Sequence, residues 1–194
     1  MEAPDPFGAL QLKFVEETIV YTGEQLHSLW AYRAFGLEGD SAVAFCGACG
    51  VTPEHMRDLE DLKAGSRIVS DHMLHFIIEH FGCDLQTAAW RQWVFMARMA
   101  EELNGLLGEP RIRRTASDLY DGERKLTVSI ASVSPVSGLI HAGINISSRN
   151  TPVPARGLED YGISARDFGR MMLEAYAQEC AGIKRACCKV RPCP

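Results

Sequence analysis

GERKLTVSIASVSPVSGLIHAGINI, Gly122 to Ile146, holds two apolar-alternating runs around a Ser-Pro-Val-Ser-Gly turn. Such a pattern predicts a β-hairpin. Side chains alternate across a strand. Odd positions on the first run are Lys125, Thr127, Ser129 and Ala131, and on the return run Leu139, His141, Gly143 and Asn145. Even positions are mainly apolar on both runs. If the turn pairs even with even, the apolar faces join under helices. Lys125, Thr127, Ser129, His141 and Asn145 then share the other face around Gly143. A solvated face would carry more long charged side chains, so this one reads as a pocket floor, with a glycine that lets a ligand approach the backbone.

Working outward, Leu12 to Val15 and Thr18 to Tyr21 are short, β-prone and joined by Glu16-Glu17, which predicts a second hairpin. Glu24 to Phe35 has helical spacing and stops at Gly36. Ser41 to Cys46 predicts a short strand. The acidic stretch Pro53 to Lys63 is weakly helical. Ser70 is placed to cap a helix running to Phe81 and closed by Gly82. Asp84 caps a longer helix to Leu107, with a stripe of Ala89, Trp93, Met96, Ala100, Leu103 and Leu107. Ser164 and Asp167 resemble a capping box for a last helix that buries Phe168, Met172, Tyr176, Cys180, Ile183 and Cys187. Strands and helices mix without a strict βαβ repeat, which predicts an α+β fold: a mostly antiparallel sheet flanked by helices.

The chain of 194 residues fits one domain, residues 1–194, with residues 1–9 a loose tail. A net charge of -5 argues against broad nucleic-acid binding, which needs a basic surface. No apolar run reaches the roughly 18 residues that span a bilayer, and no basic-then-apolar leader opens the chain. With 7 cysteines, an odd number in a chain that needs no staples, the expectation is reduced thiols and a cytoplasmic protein.

Three short motifs around the hairpin stand in a telling order: Ser117-Asp118-Leu119-Tyr120, then Gly122-Glu123-Arg124-Lys125-Leu126, then His141-Ala142-Gly143-Ile144-Asn145-Ile146. They resemble the biotin and lipoate protein ligases, over about a fifth of the chain. The resemblance implies the ligase-like fold. It also implies that Lys125 contacts an acyl carboxylate and the nucleotide α-phosphate, that Asp118 helps place ATP and magnesium, and that Arg113 or Arg114 contacts phosphate. The Gly-rich segment with which those ligases wrap the acyl-adenylate has no counterpart. Ala64-Gly65-Ser66-Arg67-Ile68-Val69-Ser70 stands in its place. Over nearly its whole length the chain is similar to a prokaryotic family, the domain of unknown function 366 group. The segments GLEGDSAVAF, HMRDLEDL, MLHFIIEHF and GLEDYGI carry this, together with the hairpin.

Other groupings suggest different chemistry. On a helix from Ser70, His72, His75 and Glu79 would share one face, a ligand set for zinc or iron. Cys46 and Cys49 with Cys187, Cys188 and Cys193 could make a thiolate zinc site, against the simpler reading of buried thiols. Glu54, Asp58, Glu60 and Asp61 form an acidic cluster, either a solvated face or a magnesium contact. The expected function is ATP-dependent activation or transfer of a carboxylate or acyl group. The alternatives are a non-catalytic nucleotide- or metabolite-binding protein and a metal-dependent hydrolase built on His72, His75 and Glu79. The expected partner is a small-molecule carboxylate or nucleotide, with no membrane. The oligomeric state stays open.

Overall fold

The computed structural model describes residues 8–191 and 193. Most of the predicted tail therefore lies outside the described residues. A five-stranded sheet contains β1 (Gln11–Val15), β2 (Ser41–Gly50), β3 (Val69–Phe81), β7 (Thr127–Val133) and β8 (Ser137–Asn145), in the order β1-β2-β3-β8-β7. All neighbours are antiparallel except β1 and β2. A three-stranded sheet holds β4 (Ile112–Thr115), β5 (Asp118–Asp121) and β6 (Arg124–Lys125). The helices are α1 (Trp30–Phe35), α2 (Leu59–Ala64), α3 (Leu85–Leu107) and α4 (Ala165–Cys188). This is the α+β architecture that the sequence predicts.

Helices α3 and α4 cover one face of the large sheet. There Leu74, Phe76, Ile78, Ile140 and Ile144 pack against Phe95, Met96 and Met99 of α3 and Phe168, Met172 and Tyr176 of α4. Gly169 makes that approach close: a Cβ there would lie 2.7 Å from the Phe14 ring. Asp84 and Ser164 cap the two helices by accepting hydrogen bonds from Thr87 N and Asp167 N. The other sheet face is covered by α1 and irregular chain, around Tyr21, Phe45, Met73 and Ile77.

Several local expectations are overturned. Residues 69–81 form a 13-residue strand, not a helix. As the central strand, β3 is paired on both edges and packed on both faces, so Met73 to His80 are all buried and no strand alternation shows. Gly82, at φ +62°, turns the chain toward α3 instead of ending a helix. The predicted N-terminal hairpin does not form. Its first half, β1, pairs in parallel with β2, and Tyr21 makes a separate parallel bridge to Cys49. The first helix is only Trp30–Phe35, and the strand from Ser41 continues to Gly50. The α3 stripe is rotated, with Phe95 and Met99 buried and Trp93 47% exposed. Ile183 and Cys187 lie exposed on the last turns of α4.

Candidate functional site

The central hairpin has its own register. Thr127 faces Ile144, Val128 faces Gly143 and Ile130 faces His141. Odd positions of β7 therefore share a face with even positions of β8. The turn explains it: four residues, Ser134 to Ser137, separate the pair Val133 and Gly138, and Ser134 Oγ accepts from Val136 N and Ser137 N. His141, Gly143 and Asn145 do lie on one face, with Met73, His75 and Ile77 of β3 beside them. Thr127 and Ser129 sit on the opposite parity. The strand breaks at Leu126, where the chain passes from the small sheet to the large one, so Lys125 is not bound to the parity of Thr127.

A cavity of about 300 Å³ lies over this region. Lys125, Asp118, Thr127, Ser129, His141 and Asn145 all line it. Val128, Ile130 and Met73 supply an apolar floor, and Tyr21, Val51 and Ile68 an apolar wall. Gly143 is not among the lining residues. The space where its Cβ would stand is filled by Met73 Cε, 2.9 Å away.

At one end Lys125 Nζ pairs with Asp118 Oδ2 at 2.7 Å. The second Asp118 oxygen accepts from Thr127 Oγ1 at 3.3 Å, and Thr127 Oγ1 accepts from Leu119 N. Ser129 Oγ donates to Ser117 O and accepts from Gln92 Nε2. The two small hydroxyls thus brace the strand that presents Asp118. Burial pushes the Asp118 carboxyl above its ordinary range, against the pull of Lys125. Burial also opposes the Lys125 charge, but the hydrogen bond and charge of Asp118 outweigh it and leave the lysine pKa raised. Asn145 lies beside this pair. Its backbone N donates to Leu126 O, its Nδ2 to Arg156 O, and its Oδ1 accepts from Ser70 Oγ.

At the other end two histidines are buried in contact. His75 Nδ1 and His141 Nε2 are 3.1 Å apart, and His75 Nε2 is 3.3 Å from Gly47 O. The Tyr21 ring stacks on His141 with centroids 3.7 Å apart and planes 14° from parallel. Burial lowers the His75 pKa to about 4 and that of His141 well below the ordinary value. Both rings are neutral at pH 7.

The metal set does not assemble. On a strand, His72 points opposite to His75 and Glu79. His75 and Glu79 share a face but lie four residues, about 13 Å, apart along the strand. Glu79 is instead engaged with Leu29 N and Ser137 Oγ. Among the described residues, no group of three or more His, Cys, Asp or Glu is placed to hold a metal ion, the cysteine set included. Cys49 is a buried thiol whose pKa burial raises to about 12. Arg113 and Arg114 are exposed on β4 and do not line the cavity, and Arg114 lies over Trp93, 4.6 Å from the ring centroid.

Arg57 and Arg67, which sequence reasoning passed over, do line the cavity, as do Asp61 and Ser66. The signal for Arg67 was its position. In the sequence, Ala64 to Ser70 stands where the resemblance implies a Gly-rich wrapping segment, and here it forms a wall of the cavity through Ser66, Arg67, Ile68, Val69 and Ser70.

Among the described residues, no helix is long and apolar enough to cross a membrane. The structure is similar to a solved protein of unknown function from Pyrococcus horikoshi, with TM-score 0.91 and 38% identity, covering 96% of this chain and 100% of that one. More distantly it resembles a biotin protein ligase variant from Aquifex aeolicus in complex with biotin, at TM-score 0.58 and 16% identity, covering 87% of this chain and 69% of that one. It also resembles a putative lipoate protein ligase from T. acidophilum with bound lipoic acid, at TM-score 0.56 and 14% identity, covering 87% and 84%. At those identities the likeness establishes a shared fold. An uncharacterized protein of Methanocaldococcus jannaschii is 37% identical, across 94% of this chain and 85% of its own length. The family model described as Domain of unknown function (DUF366) matches residues 10–191, and the chain belongs to that family.

Proposed function

We propose that the cavity binds a small carboxylic acid and that the protein activates it with ATP for transfer. The observation that carries this reading is the Lys125–Asp118 pair, held at 2.7 Å at one end of a cavity with an apolar floor. A half-buried ammonium there is a preorganised counter-charge for a carboxylate and for the α-phosphate it attacks. In that step a carboxylate oxygen bonds to the α-phosphorus, the bond to the β-phosphate oxygen breaks, and pyrophosphate leaves. Asp118 and Asp61 line the cavity with the oxygen ligands that magnesium prefers, and would hold the ion that screens the phosphates. Arg57 and Arg67 are the guanidinium groups available to phosphate oxygens. The complexes of the fold's distant neighbours with biotin and with lipoic acid support a carboxylic acid as ligand.

The test is ATP–pyrophosphate exchange with a panel of small carboxylic acids, alongside thermal melting. Acid-dependent exchange is expected, with a loss on the order of 10²-fold in Lys125→Ala, the effect of removing one preorganised stabiliser. If no acid stimulates exchange or shifts the melting temperature, the reading falls. A shift that depends on Lys125, without exchange, would assign binding without turnover. The single glycine of Ala64 to Ser70 favours that second reading.

A further inference from the structure

The end of the cavity remote from Lys125 presents a hydrogen-bond acceptor, on a buried side chain, that no donor of the described residues faces. Gly47 O can only accept, so His75 Nε2 must carry the proton in their 3.3 Å contact. A neutral His75 then has a bare Nδ1, which accepts from His141 Nε2–H at 3.1 Å. The proton of His141 is thereby committed to Nε2, and its Nδ1 keeps a free lone pair. His141 is 3% exposed, lines the cavity, and its Nδ1 has no partner among the described residues. Tyr21 is stacked on the ring face and supplies no donor to that nitrogen. The depressed pKa values of both rings agree with this neutral relay.

The distance between the two ends fixes the shape of the ligand. Asn145 and His141 share a face of β8 four residues apart, so about 13 Å separates them along the strand. Lys125 stands beside Asn145, because Asn145 N donates to Leu126 O. Between the ends the floor is Met73, Val128 and Ile130. We infer that the site selects a carboxylic acid with an apolar middle and an N–H or O–H donor at its far end, which donates to His141 Nδ1. The inference rests on the acid-binding reading given above. It adds the second recognition point, and with it the substrate class: ω-hydroxy and ω-amido acids in preference to plain fatty acids.

Three probes built on the same eight-carbon chain separate the possibilities: 8-hydroxyoctanoate, octanoate and 8-methoxyoctanoate, titrated by calorimetry into the wild-type protein at neutral pH. The hydroxy acid is expected to bind roughly tenfold to a hundredfold tighter than the methoxy acid, which has the oxygen but no proton to give. That preference should vanish in His141→Phe while binding still depends on Lys125. If the hydroxy and methoxy acids bind equally and both need Lys125, the donor inference is overturned and the acid site stands. If none of the three binds, both fall. A second measurement needs neither ligand nor variant. The ¹⁵N–¹H spectrum of the wild-type protein should show His141 protonated at Nε2 and bare at Nδ1; a proton on Nδ1 overturns the inference.

Discussion

His75 is the side chain on which the buried end of the site turns. Its two nitrogens are both engaged, and its ring is packed against those of Phe45 and Tyr21, centroids 5.2 Å away in each case. A proton added to it would place a charge among aromatic rings. The folded pKa of about 4 lies below the ordinary 6.5. Between those values the unfolded chain takes up a proton that the folded chain refuses. The stability it lends is fully present above pH 6.5 and lost as the pH falls toward 4, on the order of 3 kcal/mol for His75. His141, depressed by burial and by His75, adds in the same direction. Urea midpoints should therefore decline between pH 7 and pH 5, and the decline should be shallower in His75→Gln. An identical slope in the two proteins would mean that His75 is protonated at no cost in the folded state. The basis for seeing this pair in the sequence was slight. His141 stands out on its strand, but its partner lies 66 residues away, across a strand pairing that local patterning does not report.

At the scale of elements, legibility followed burial geometry. Helices α3 and α4 each have one buried face and a capping residue, so periodicity and Asp84 or Ser164 revealed them. Strand β3 is buried on both faces, and its mixed run of apolar and polar residues, with Ser70 at one end and Gly82 at the other, satisfies helical and extended patterns alike. The hairpin was legible as a hairpin, but its register depended on the Ser134 turn, and one residue of register exchanges the faces. Parallel pairing of β1 with β2 was likewise invisible, since nothing local distinguishes it from a hairpin. One glycine reveals how these elements fit together. Gly47 lets the backbone at Ile19 cross β2, with Ile19 N donating to Cys46 O. A Cβ at Gly47 would stand 1.9 Å from Ile19 O. Gly47→Ala should cost about 3 kcal/mol or more, the upper end of overpacking, and displace Tyr21 from His141. Gly182, exposed in α4 with nothing within 4 Å, gives the opposite case. Gly182→Ala should gain up to ~1 kcal/mol from helix propensity. Thermal melts of the two variants check both signs, and equal destabilisation would refute the packing account.

For the whole molecule, the cavity sets a limit on what can be bound at once. At about 300 Å³ it lies at the low end of small-molecule sites, enough for one slender acid and too small to enclose a nucleotide beside it. Phosphates that meet the acid at Lys125 must then lie toward Arg57 and Arg67, on the chain between β2 and β3. That chain is lightly anchored: the 3₁₀ turn Pro53–His55 and α2 bury no residue, and Leu59 and Leu62 are exposed. The opposite wall is β8, every residue of which is buried. One rigid wall and one weakly packed wall predict unequal exchange of amide protons. In the free protein, residues 52–67 should exchange much faster than β3 and β8. A carboxylic acid together with a nonhydrolysable ATP analogue should slow exchange in 52–67 and leave β3 and β8 as they were, because binding that orders a segment is seen where order was lacking. The acid alone should protect less, since it reaches the arginines only through the missing phosphates. Unchanged exchange in 52–67, under conditions where calorimetry detects Lys125-dependent binding of both ligands, would mean that the nucleotide is held elsewhere.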